Sequence, residues 1–127
     1  PVSKSEASFL IFKAYCEQWS EKNPNVPLDI QHLREAFRGE INSYYYNRFL
    51  KHLFYKIEEE ITVDVQGSKH FGDVLCPETD DWDFYWDDDH VLPNVKGEVR
   101  CVKMWRKSDF DKLVKKAQDY GIVVEPA

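Results

Sequence analysis

The run DDWDFYWDDDH, residues 80–90, sets six aspartates among four aromatic side chains. Carboxylates at that density invite three readings. Hard cations such as Ca²⁺ or Mg²⁺ need clustered oxygen ligands, and Asp87, Asp88 and Asp89 supply them. The spacing of a calcium loop is absent, with no glycine at its sixth position and no glutamate at its twelfth. Adjacent carboxylates on an extended chain also point to opposite faces, so no metal site is expected. In the second reading Asp80, Asp81, Asp83, Asp87, Asp88 and Asp89 form an acidic surface that docks onto a basic protein partner, imitating a nucleic-acid backbone. The third is structural. Trp82, Phe84 and Trp86 alternate with Asp81, Asp83, Tyr85 and Asp87, which is the period of a strand with one face in the core. Its charges would face water beside Arg100 and Lys103 of a neighbouring strand and guard against edge-to-edge pairing. The strand reading accounts for most of these residues, and the excess of acid is left to a partner.

Other chemistry is thinly represented. His70, Cys76, His90 and Cys101 could be assembled into a zinc set, but the gaps are wide and no closely spaced pair exists. Three cysteines and four histidines offer many Cys–His pairings, and nothing in their spacing selects one. Asp73, Glu78 and Lys103 would suit a metal-dependent nuclease, yet three such residues occur in almost any chain of this length. No phosphate-cradling glycine loop, zinc-protease helix or nucleophile elbow is present. No catalytic residue and no cofactor is expected, and the chain reads as a binding protein rather than an enzyme.

The charge is segregated. The net value is −6, but residues 1–57 carry eight Lys/Arg against six Asp/Glu, a balance of +2. Residues 58–90 carry one against twelve, a balance of −11, and residues 91–127 eight against five, a balance of +3. With 127 residues, 43% of them apolar, one domain with an ordinary core is expected: a helical part over about 1–57, then a β-rich part with a C-terminal helix over about 58–127. No apolar run approaches the ~20 residues of a membrane span, and no signal peptide is visible. The odd number of cysteines favours reduced thiols and an intracellular (cytoplasmic or nuclear) location. The chain begins with Pro1 rather than Met, which fits a piece of a longer protein.

Positioning these residues requires several elements. Phe9, Phe12, Tyr15, Cys16 and Trp19 recur at helical spacing over residues 8–23, ahead of a break at Asn23-Pro24-Asn25. Asp29 is an N-cap for a second helix with Ile30, Leu33, Ala36 and Phe37 on one face and Gly39 beyond its end. A third helix is expected from Asn42 or Ser43 to Ile57, with Tyr46, Phe49, Leu50 and Leu53 inward. The period then changes to two. Strands are expected at 61–66, 82–87 and 98–105, with a turn at residues 93–97 and an edge strand at 122–125. Ser108 followed by Asp111 predicts the start of a last helix, buried through Phe110, Leu113, Val114, Ala117 and Tyr120 and stopped by Gly121.

Three helices followed by strands resemble a winged helix-turn-helix. In that resemblance residues 28–37 are the second helix, residues 38–42 the turn and residues 43–55 the recognition helix. Arg38, Asn42, Ser43, Tyr44, Asn47, Arg48 and Lys51 would then contact phosphates and base edges. The turn is about two residues long for the motif, the helix is unusually aromatic, and the wing would fall in the acidic segment. The expected fold is thus α+β: three N-terminal helices, helix-turn-helix-like, then a small antiparallel sheet and a C-terminal helix. The expected function is nucleic-acid binding within replication or regulatory machinery. The alternative is a protein-interaction module working through the acidic strip. Lys112, Lys115 and Lys116, with Arg106 and Lys107, offer a basic face that could receive that strip within one molecule or in a homo-oligomer. No membrane partner is expected.

Overall fold

A computed structural model describes residues 2–38, 53–56, 85–86, 89–103 and 105–124. Helix α1 spans Lys4–Lys22, four residues longer at its start than the apolar stripe indicated, because the Ser3 hydroxyl accepts from the Glu6 amide at 3.1 Å and caps it. It buries Phe9, Ile11, Phe12, Tyr15 and Cys16 and ends where Asn23 bonds the Trp19 carbonyl with both its amide and its side chain. Helix α2, Ile30–Phe37, starts at Asp29, whose carboxylate accepts from the Gln31 amide at 2.7 Å. All four of its expected inward residues, Ile30, Leu33, Ala36 and Phe37, are buried. It stops with Arg38 extended; Gly39 lies outside the described residues.

Strand β1, Phe54–Lys56, pairs antiparallel with β2, Val99–Cys101, in the register Phe54 to Cys101, Tyr55 to Arg100 and Lys56 to Val99. This corrects the expected third helix, which cannot continue through residues 54–56. Phe54 is fully buried on the ladder, and pairing with β2 satisfies backbone groups that a last helical turn would have used differently. Residues 42–52 of that expected helix, and the expected strand at 61–66, lie outside the described residues.

The other edge of β2 is also occupied. Tyr85 bridges Val102 and Val91 bridges Arg100, while the Trp86 amide bonds the Cys101 carbonyl at 2.9 Å. Pairing on both edges explains why Val99, Arg100 and Cys101 are all buried. The expected alternation over 82–87 is not clean at its described residues. Tyr85, placed on the outer face, is half-buried against the core like Trp86. Residues 93–97 turn as expected, with Asn94 and Gly97 both at positive φ (56° and 76°). The connector from α1 joins here, since Leu28 bridges Val95 with its amide bonded to the Asn94 carbonyl at 2.9 Å.

Helix α3, Lys107–Gln118, begins after Arg106 without a side-chain cap. Ser108 is therefore inside the first turn and the expected Ser108–Asp111 capping pair does not form. The end agrees with expectation: Gly121 has φ +73°, its amide bonds the Gln118 carbonyl, and the Ile122 amide bonds the Ala117 carbonyl. That pair of bonds is a Schellman closure, and it buries Ile122 beside Ala117. Residues 122–124 are consequently irregular rather than an edge strand. The molecule is mixed α and β. Its core centres on Phe12, whose ring meets Phe37 at 4.9 Å, Phe54 at 4.7 Å and Trp105 at 6.2 Å.

Candidate binding surfaces

Helix α2 sends its two arginines in different directions. The Arg34 guanidinium donates to the Phe54 carbonyl at 3.1 Å and ties α2 to β1. Arg38, at the helix end, points outward with its side chain 73% exposed and pairs with Glu35 at 3.1 Å. Both partners of that pair are solvated, so it is worth about 0–1 kcal/mol. Of the expected nucleic-acid contacts, Arg38 alone is described; Asn42, Ser43, Tyr44, Asn47, Arg48 and Lys51 lie outside the described residues.

The acidic segment is anchored at its end. Asp89 is exposed, but its neighbours Trp86 and His90 turn inward. Their rings stack at 3.7 Å and 16°, and Phe9 of α1 meets the His90 ring edge-on at 4.7 Å. His90 Nε2 lies 2.7 Å from Glu6 Oε2. A carboxylate only accepts, so Nε2 is the donor in this contact. Nδ1 and the Trp86 indole nitrogen are both enclosed without a hydrogen-bond partner among the described residues. A carboxylate orienting an imidazole is also how a general base is prepared, but an enclosed Nδ1 has no substrate within reach. The arrangement acts as a clasp that holds the close of the acidic segment to α1. The Lys103 ammonium, 5.3 Å from the Trp86 ring, covers it further. Glu6 was not legible as a functional residue in the sequence, because 84 positions separate it from His90. Asp80, Asp81, Asp83, Asp87 and Asp88 lie outside the described residues.

Arg100, expected to meet the strip's carboxylates, is 6% exposed; it pairs with Glu98 at 2.8 Å and donates to the Trp86 carbonyl at 3.3 Å. It thus fastens the same segment from the β2 side. Cys16 and Cys101 are free thiols in the core. Burial, with Glu17 adding to it, pushes Cys16 up to about 12, and burial followed by the proximity of Cys16 raises Cys101 well above the ordinary thiol value. Neither is a thiolate near neutral pH, so neither serves as nucleophile or ready metal ligand. Among the described residues no three His, Cys, Asp or Glu side chains converge as a metal site would require. Nor is any described helix long and apolar enough to cross a membrane.

On the basic face of α3, Lys107 pairs with Asp111 at 3.2 Å and Lys116 with Asp119 at 3.9 Å, while Lys112 and Lys115 are exposed. At the far end of α1, a cleft of about 270 Å³ is lined by Tyr15, Gln18, Trp19, Lys22, Asp119 and Tyr120. The Tyr15 hydroxyl lies 2.6 Å from His32 Nε2, and the Tyr120 hydroxyl donates to the Ala36 carbonyl. No protein family model, no curated protein and no solved structure matches the chain.

Proposed function

We propose that this chain is a nucleic-acid-binding module of winged helix-turn-helix type. The carrying observation is the order of elements around residues 39–52. Helix α2 ends at an outward Arg38, and β1 follows at Phe54, antiparallel to β2. The segment that bears Asn42, Ser43, Tyr44, Asn47, Arg48 and Lys51 is thereby bracketed by a helix and a strand, the setting a recognition helix has when a wing follows it. The shorter limit set by β1 supports this, because a helix running to Ile57 would leave no strand to begin the wing.

Fluorescence anisotropy with short single- and double-stranded DNA and RNA at two salt concentrations tests the proposal. Affinity is expected to fall steeply with salt, the slope counting the phosphates contacted. Arg48→Ala combined with Lys51→Ala should weaken every sequence alike. An absence of binding at low salt, or a double variant that binds unchanged, overturns the assignment.

A second reading is favoured by the clasp. Trp86 and His90 are pinned while Asp89 between them is exposed, which supports the acidic strip as a surface for a basic protein partner. Retention of a basic protein on immobilised wild type, lost when Asp87, Asp88 and Asp89 are changed to Asn, is its expected outcome; equal retention by that variant rejects it.

A further inference from the structure

The residues lining the cleft at the end of α1 are spaced i, i+3, i+4 and i+7 as Tyr15, Gln18, Trp19 and Lys22, a single helix face. The same helix buries its other stripe, Phe9, Phe12 and Cys16, in the core. Tyr15 is buried and forms the floor, Trp19 and Tyr120 are half-buried, and Lys22 and Asp119 are exposed at the rim. The rings are held before any ligand arrives. Tyr15 meets Tyr120 edge-to-face at 4.9 Å, and Trp19 meets His32 in the same way at 5.7 Å. The hydroxyls of Tyr15 and Tyr120 are both engaged by α2.

Charge decides between ligand classes. Aromatic clefts suit cations as well as flat rings. Here, however, the protein's own Lys116 ammonium already sits 5.9 Å from the Tyr120 ring and pairs with Asp119. Lys22 makes no ion pair among the described residues. The uncompensated charge at the rim is therefore positive, which disfavours a cationic ligand and favours a ring that carries a negative group. The volume lies just under the ~300–1,000 Å³ of drug-sized pockets, enough for one ring system.

We propose that this cleft binds a nucleotide. Its base stacks on Trp19 and Tyr120, its polar edge meets Gln18 and Asp119, and its phosphate meets Lys22. The ligand is either a free nucleotide or an unpaired residue at the end of a nucleic-acid strand. The second source rests on the nucleic-acid reading above.

The test is a heteronuclear NMR titration of the full chain with mononucleotides, the matching nucleosides and inorganic phosphate, on wild type, Lys22→Gln, Trp19→Ala and Trp19→Phe. Saturable shifts of the Trp19 indole and of Tyr15 and Tyr120 are expected with nucleotides. Lys22→Gln should weaken the nucleotide roughly tenfold and leave the nucleoside unchanged. Trp19→Ala should abolish both, and Trp19→Phe, which keeps a stacking ring and the fold, should restore them in part. No saturable shift with any nucleotide, or shifts that phosphate alone reproduces, overturns the proposal. Anisotropy on a blunt duplex and on the same duplex with an unpaired end separates the sources: a preference for the unpaired end identifies a strand, and equal affinity a free nucleotide. Loss of duplex binding with the mononucleotide shifts retained removes the helix-turn-helix assignment alone. The converse removes the cleft alone.

Discussion

Glu6 and His90 illustrate how single contacts organise this molecule. Their 2.7 Å pair is partly exposed, at 20% for His90 and 39% for Glu6, so the contact contributes modestly by itself. The His90 ring also stacks on Trp86 and abuts Phe9, contacts worth about 0.5–1.5 kcal/mol beyond area burial. His90→Ala is therefore expected to destabilise by about 1–3 kcal/mol in urea unfolding, and Glu6→Gln by about 1 kcal/mol or less. A double-mutant cycle should show coupling between them, and strict additivity would remove the clasp. The core thiols supply a second expectation. The unfolded chain releases their protons near 9.0, whereas folded Cys16 holds its proton to about 12 and folded Cys101 is raised in the same direction. Their contribution is full below pH 9 and is lost as pH rises toward 12. Urea midpoints measured across that window should fall less steeply for Cys16→Ala than for wild type. Parallel curves would contradict the burial of this thiol.

The elements are terminated by identifiable side chains. Asp29 accepts from the Gln31 amide at 2.7 Å, so Asp29→Ala is expected to cost about 0.5–2 kcal/mol, read as a drop in melting temperature without loss of the fold. Gly97 holds φ +76° in the turn that leads into β2, and a Cβ there would press on the Lys56 side chain. The lysine can move, whereas the backbone strain cannot be relieved. Gly97→Ala should therefore destabilise by about 1–2 kcal/mol, and Gly97→Asn by less, because asparagine tolerates the left-handed region. Equal stability of all three would mean that the turn relaxes. β2 is a short strand made stable by neighbours on both edges: β1 on one side, and Tyr85, Trp86, Val91 and Leu92 on the other.

For the whole molecule, Phe12 is the central packing residue. It is fully buried and joins α1 to α2 through Phe37, to β1 through Phe54 and to the approach of α3 through Trp105. Phe12→Ala is expected to cost about 3–5 kcal/mol, a large part of the ~5–15 kcal/mol that a domain holds. Calorimetry should show one lowered transition, whereas a small shift would place the core elsewhere. The same core fixes the relative positions of the outward surfaces. Arg38 leaves the end of α2, Asp89 stands beyond the clasp, and the Trp19 cleft lies between the ends of α1 and α3.

Local chemistry made much of this legible in advance. The apolar stripe of α1, the Asp29 cap, the four inward residues of α2, the turn at 93–97 and the Gly121 stop each depend on residues within a few positions of one another. Those interactions are specified by spacing alone. Where local signals misled, a distant partner prevailed. Residues 54–56 had the composition of a helix end, but β2 offered an unpaired edge and Phe54 a place in the core. Ser108 could cap a helix, yet α3 starts two residues earlier than that cap would set it, at Lys107. The binding geometry was the least legible part. Glu6 meets His90, Tyr15 meets His32, and Trp19 and Tyr120 line one cleft only because the core brings α1, α2, the acidic segment's end and α3 together. Sequence by itself determined the apolar stripes of α1, α2 and α3, the Asp29 cap, the Gly121 stop and the segregation of charge, since these follow from neighbours along the chain. The tertiary structure alone decided which rings and charges share a surface, because that depends on contacts between residues far apart in sequence.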